Sequence, residues 1–200
     1  MNPSFFISDK ILPRSFYTHN PEWVAKNLLG KILINKTSEE IVKGKIVETE
    51  AYYGEGDPAS HAYHGKTERS KIMWGRPGIA YVYFTYGMHY LFNVVADQEG
   101  RAGAVLVRAI EPFEGIKLMK KRRKVEKIKE LTNGPAKLTQ AFAITGKDNG
   151  ADLTCSPLTI IKEERKEKFK IISTGRIGIK NGKEARLRFY LENSEFVSKK

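Results

Sequence analysis

From Lys43 to Tyr53 the chain reads KGKIVETEAYY. Apolar and polar residues recur there with the two-residue period of a strand. That period sets Val47 and Thr49 on one side and Ile46, Glu48, Glu50 and Tyr52 on the other. A short apolar run, KILIN (Lys31 to Asn35), predicts a strand before it. Downstream, IAYVYF and HYLFNVV flank TYGM, rich in β-branched and aromatic residues. They predict a hairpin, Ile79 to Phe84 and His89 to Ala96, turning near Gly87. A turn at Gly100 to Gly103 leads into the strand AVLVRAI, Ala104 to Ile110. Near the end, RLRFYL (Arg186 to Leu191) sets Leu187, Phe189 and Leu191 on one face.

Helical signals are fewer. Asn20-Pro21 reads as an N-cap followed by proline at the first helical position. Trp23, Val24, Leu28 and Leu29 then fall at helical spacing, and Gly30 fits just past the end. EPFEGIKLMKKRRKVEKIKE predicts a second helical stretch, with a basic, solvated face over Lys117 to Lys129. Pro135 opens a third, lined on one side by Leu138, Ala141 and Phe142, and Gly146 is expected to close it. Between Gly54 and Gly78 lies a long polar segment rich in glycine and charge, a length that usually marks function. The pattern is a strand-rich mixed fold without regular βαβ alternation or an interdomain linker.

The 200 residues suit one domain, and 40% hydrophobic content suffices for a core. A net charge of +12 and a pI near 9.6 favour a polyanionic partner, nucleic acid before anionic membrane. One cysteine, Cys155, excludes an intrachain disulfide and a multi-thiolate metal site. It fits a reducing, cytoplasmic setting. The N-terminal MNPSFFISDK has an apolar patch interrupted by Asp9 and Lys10, unlike a signal peptide.

The segment Glu48 to Gly65, ETEAYYGEGDPASHAYHG, carries the candidate chemistry. A carboxylate beside an aromatic plate can take a proton from water or face positive charge developing on a sugar. The plainer reading is an exposed strand whose glutamates pair with lysines. His61 and His64 form H-x-x-H without a third ligand at a telling spacing. Stacking or ordinary hydrogen bonding are the other roles open to His61. Tyr86, beside Gly87, is either a cap on the sheet edge or a wedge able to enter a base stack. No phosphate-binding loop and no serine or cysteine nucleophile context is present.

Six blocks occur in order: VETEAY from Val47, D-x-x-x-H from Asp57, PGIAYVYFTYGMHYLFNVV from Pro77, VLVRAIEP from Val105, NGPAKLTQA from Asn133 and LRFY from Leu187. Together they resemble the alkyladenine (3-methyladenine) DNA glycosylase family over residues 14 to 198. The resemblance implies an α+β single domain spanning 1–200, a curved, mainly antiparallel sheet with a protruding β-hairpin and flanking helices. It implies that Glu50 is the general base for water and that Arg108 helps hold that water. Tyr52, His61 and Tyr83 would sandwich the extruded base, Asn93 would disfavour the guanine amino group, and Tyr86 would fill the gap in the duplex. Glu48 would have a structural role. The implied partner is double-stranded DNA containing damaged purines, bound by a monomer without metal or organic cofactor. A cytoplasmic protein, nucleoid-associated if bacterial, is expected. The loop TERSKIMW (Thr67 to Trp74) departs from the T-P-R-N-like sequence of relatives, next to the base pocket.

Two other functions compete with this one. A non-enzymatic nucleic-acid binder would be strongly salt-sensitive and yield no product. A hydrolase of free nucleosides would leave the exposed tyrosine and the net charge without a purpose.

Overall fold

Among the described residues of the computed structural model (10–37, 40–155, 157–163 and 169–199), eight strands form one antiparallel sheet. They are β1 Ile32–Lys36, β2 Ile41–Tyr52, β3 Ala80–Thr85, β4 His89–Val95, β5 Ala104–Glu114, β6 Leu158–Ile161, β7 Ile171–Thr174 and β8 Arg188–Leu191. The order runs β3-β4-β5-β2-β1-β6, and β8 also pairs with β2 and carries β7. Among the described residues four α-helices accompany the sheet: α1 Arg14–Tyr17, α2 Pro21–Leu28, α3 Ile116–Arg123 and α4 Pro135–Phe142. The architecture is α+β, with the sheet curled into a half-barrel. The N-terminal apolar patch at 4–8 lies outside the described residues. Among those residues, no helix is long and apolar enough to cross a membrane.

Alternation divides the sheet into two faces with different tasks. Val47, Thr49 and Ala51 of β2, Ala80 and Val82 of β3, Phe92 and Val94 of β4, and Val105, Val107 and Ala109 of β5 are all buried. They meet Val24, Ala25 and Leu28 of α2 and Leu138, Ala141 and Phe142 of α4 in the main core. Residues of the opposite parity face a cavity: Tyr52, Tyr81, Tyr83, Leu91, Asn93, Ala104, Leu106 and Arg108. In β2 to β5 one face therefore supplies the main core, and the other lines the cavity beside a smaller cluster of Ala62, Met73, Tyr81, Val95 and Ala104.

The expected parity of β2 breaks at one point. Ile46 was expected beside Glu48, but both Ile46 and Val47 are fully buried in the main core. The register explains it. Ile46 pairs with Ile110 while Glu48 pairs with Ala109, so Val47 is an extra residue in β2. Such a bulge bends the strand and raises its twist, and bulges recur beside active sites. Here it restarts the alternation just before Glu48.

Several element ends also differ from the sequence reading. Residues Glu111 to Glu114, expected as helix, extend β5 along β2, where Lys43–Glu114 (2.9 Å) and Lys45–Glu111 (3.2 Å) pair across the strands. The basic helix α3 then stops early, with Lys124 in the left-handed region (φ 54°). Helix α4 ends at Phe142 rather than near Gly146. Ala143 takes the left-handed cap, and Gly146 begins a 3₁₀ turn held by a Thr145/Asp148 capping box. Helix α2 matches its expected start, with Asn20 Oδ1 accepting from the Trp23 amide at 2.9 Å.

Candidate active site

A cavity of about 560 Å³ opens on the concave face of the sheet. Strand β2 supplies Tyr52, β3 supplies Tyr81 and Tyr83, β4 supplies Asn93, and β5 supplies Arg108. His61 reaches it from the long loop, and Tyr86 stands at its rim on the hairpin turn. The segment Ile177 to Asn181 closes the remaining side. Six of the seven residues singled out in the sequence thus share one cavity.

The seventh, Glu50, lies one layer deeper. It is fully buried and does not line the cavity itself. The three residues that contact its carboxylate do. Tyr52 Oη donates to Glu50 Oε2 at 2.7 Å, Arg108 Nη1 forms an ion pair with the same oxygen at 3.2 Å, and the Ile177 amide donates to Oε1 at 2.8 Å. A carboxylate offers about four acceptor sites, so these contacts do not exhaust it. Burial, followed by the Glu50 charge, raises the Tyr52 phenol pKa well above its ordinary value, so the phenol stays a donor.

Glu48 takes the matching position behind Arg108. Its oxygens accept from Arg108 Nε (3.0 Å), Arg188 Nε (2.7 Å), the Ser198 amide (2.7 Å) and Ser198 Oγ (2.9 Å). Arg188 also donates to the Lys199 carbonyl. Arg108 therefore bridges two buried carboxylates. Burial would lower its pKa, but Glu50 and Glu48 together outweigh that and hold it above the ordinary arginine value. This agrees with the structural role expected of Glu48. It adds the chain end near Ser198, which carries no local pattern that sequence reading can detect.

A second buried ion pair anchors the cavity wall. Arg176 holds Asp57 through two bonds of 2.6 and 2.7 Å and donates to the Ala51 carbonyl at 3.0 Å. Its guanidinium also lies 4.7 Å from the Tyr52 ring centroid. Asp57 in turn accepts from the Tyr53 and Ala59 amides at 3.0 and 3.1 Å. Burial alone would raise the Asp57 pKa. The Arg176 guanidinium and those amides prevail and hold it below the usual carboxylate range. The pair ties the segment after Gly175 to the loop that delivers His61. Sequence reading noted Asp57 only as a motif position and missed Arg176. The clue was an arginine in the glycine-rich stretch GRIGIKNG, whose partner lies far away in sequence.

His61 and Tyr83 meet edge to face, with centroids 4.6 Å apart. His61 Nδ1 and Tyr81 Oη lie 2.8 Å apart and share a hydrogen bond. Although His61 is exposed at the cavity mouth, desolvation of its ring and then the nearby Arg69 charge push its pKa down to about 4. The imidazole is neutral near neutral pH. Asn93 is buried and donates from Nδ2 to the Tyr81 carbonyl at 3.1 Å, which fixes its amide. Tyr86 differs from all of these, being 82% exposed with φ of 51°. Gly87 follows at φ 67°, so both central turn residues are left-handed, as a tight hairpin requires. A tyrosine there is strained and solvent-facing, a combination that points to use rather than packing.

Comparison with known families matches residues 15–195 to methylpurine-DNA glycosylase (MPG). The chain belongs to the methylpurine-DNA glycosylase family. Membership makes it a DNA glycosylase, a repair hydrolase acting on N-glycosyl bonds. Similar proteins provisionally named 3-methyladenine DNA glycosylase include one from Carboxydothermus hydrogenoformans, 53% identical over 191 residues, covering 95% of this chain and 100% of that one. One from Chlorobium phaeobacteroides (strain BS1) is 47% identical over 190 residues, covering 94% of this chain and 96% of its own. One from Clostridium tetani is 47% identical over 201 residues, covering 94% and 99%. In the glycosylase the loop Thr67 to Trp74 holds its own ion pair, Lys71–Glu68 at 2.8 Å, and a short 3₁₀ helix, Lys71–Trp74.

The buried network makes a stability prediction. Glu48→Gln keeps shape but leaves Arg108 and Arg188 short of one negative charge. Removing one partner of a buried pair costs about 3–5 kcal/mol. Thermal unfolding should show a melting point lower by roughly 6–20 °C, at about 2–4 °C per kcal/mol for this size. Adding Arg188→Met should recover part of the loss, because it restores charge balance.

Proposed function

We propose that this glycosylase swings a damaged purine nucleotide out of duplex DNA and hydrolyses its N-glycosidic bond with water, leaving an abasic site. One observation carries the reading. A buried carboxylate, contacted by three residues that line the cavity, lies beneath aromatic walls and a rim that bears an exposed tyrosine.

The target bond is hidden inside the duplex, so the nucleotide must leave the stack. Unstacking costs a few kcal/mol. Tyr86 offsets that cost by stacking in the vacated gap, and the basic surface adds attraction to phosphates. Damage lowers the cost further. The extruded base is sandwiched by Tyr52, His61 and Tyr83. Aromatic faces hold a cationic alkylated ring by stacking and cation–π attraction, worth about 0.5–2 kcal/mol per contact. Asn93, with its amide already oriented, stands at the base edge and opposes the guanine amino group. Neutral His61 adds no charge against the lesion.

In the chemical step a water gives its proton to Glu50 Oε1, and its oxygen bonds to C1′ of the deoxyribose. The bond from C1′ to the base nitrogen breaks, and its electron pair leaves with the base. A cationic base is neutralised by that pair, which is why alkylation weakens the bond. The carboxylate also faces the positive charge that develops on the sugar. Arg108 holds Glu50 in place and helps orient the water. 3-Methyladenine and 7-methylguanine leave as neutral bases in this step, whereas hypoxanthine and ethenoadenine, which fit the same flat slot, leave as anions that take a proton from solvent water. The water-only route makes the enzyme monofunctional, without a lyase step.

Two variants test the assignment. Glu50→Gln should bind damaged duplex at near-parental affinity while base release falls by about 10²–10⁴-fold, the usual share of a general base. Release at the parental rate in a single-turnover assay would remove Glu50 from the mechanism. Tyr86→Asn should melt no lower than the parent, because asparagine accepts the left-handed region more readily. Its base release from duplex should fall about 10–100-fold, the loss of one aromatic–base stack. Unchanged release would exclude the wedge.

A further inference from the structure

Both aromatic walls of the cavity carry a guanidinium at the same distance. Arg176 Cζ lies 4.7 Å from the Tyr52 ring centroid, and Arg69 Cζ lies 4.7 Å from that of Tyr83. Neither arginine lines the cavity. Each therefore lies on the side of its ring away from the space where a base stacks.

The two cations are not equivalent. The charge of Arg176 is balanced by the two-bond pair with Asp57. Arg69 is exposed, and among the described residues no carboxylate forms an ion pair with it; neighbouring Glu68 pairs with Lys71 at 2.8 Å. So the Tyr52 wall is backed by a neutral pair and the Tyr83 wall by a net positive charge. A ring attracts a cation through its quadrupole. With one face of Tyr83 engaged by a guanidinium, a cation on the other face is still attracted by the ring but is repelled by the like charge across it, which reduces the net gain. A neutral purine stacking there suffers no such repulsion.

We propose that Arg69 sets lesion preference, biasing the slot toward uncharged damaged purines and against cationic ones. The proposal rests on the base-flipping reading given above, since it needs the base to stack on Tyr83. It identifies Arg69 as a specificity-determining residue that acts through Tyr83 rather than by touching the base.

The test uses one duplex sequence carrying either 7-methylguanine, which is cationic, or hypoxanthine, which is neutral. Single-turnover base release is measured for the parent, Arg69→Gln and Arg69→Lys, with melting curves as a folding control. Arg69→Gln should raise the ratio of cationic to neutral release by about fivefold, on the scale of one cation–π contact. Arg69→Lys, which retains the charge, should keep the parental ratio within about twofold. Phosphate contact or mere support of the wall would change both rates together and leave the ratio fixed. A fixed ratio in Arg69→Gln, or an equal rise in Arg69→Lys, overturns the proposal while leaving base release by the parent intact. Absence of release from either lesion by the parent would instead overturn the reading on which it rests.

Discussion

Arg108 bridging Glu48 and Glu50 is the interaction on which the site depends. A lone buried carboxylate would be costly, because charge is poorly solvated inside a protein. Six charged side chains are buried among the described residues, and their signs cancel: Glu48, Glu50 and Asp57 against Arg108, Arg176 and Arg188. The balance lets Glu50 sit fully out of solvent, with its orientation fixed by a phenol, a guanidinium and a backbone amide. That cluster draws on β2, β5, β8, the segment at Ile177 and the chain end at Ser198. Tertiary structure, not local sequence, assembles it.

The curled sheet explains how one element serves stability and chemistry together. One face of the sheet forms the main core under α2 and α4, and the cavity face carries only a smaller cluster around Tyr81, Val95, Ala104 and Met73. Two local irregularities serve the site. Val47 bulges to restart the alternation ahead of Glu48, and Tyr86 holds a left-handed turn at the exposed tip. The aromatic wall and the exposed tip suit the proposed grip on one nucleotide and its replacement in the stack.

Much of this was legible in the sequence, for definite reasons. The alternation in ETEAYY put Glu48, Glu50 and Tyr52 on one face, as observed, because strand period is local. The hairpin was legible from TYGM between two aromatic-rich runs. The block order identified the family and, through it, the cavity residues. What stayed hidden was non-local. Arg176, Arg188 and Ser198 find their partners across more than a hundred residues. The bulge at Val47 left no mark in the residue pattern, since isoleucine and valine suit either face. The extension of β5 through Pro112 was masked by a helical composition and won by pairing with β2. That Glu50 lies beneath the cavity rather than in its wall was also beyond a one-dimensional pattern.

The most direct test of the account is a crystal structure on duplex DNA with a cationic pyrrolidine replacing one deoxyribose, a mimic of the charged sugar. The account predicts the pyrrolidine turned out of the helix, one ordered water between it and Glu50 Oε1, and the Tyr86 ring in the vacated gap. A pyrrolidine still in the stack, or one turned out with Glu50 sealed from it by protein, would contradict the central claim.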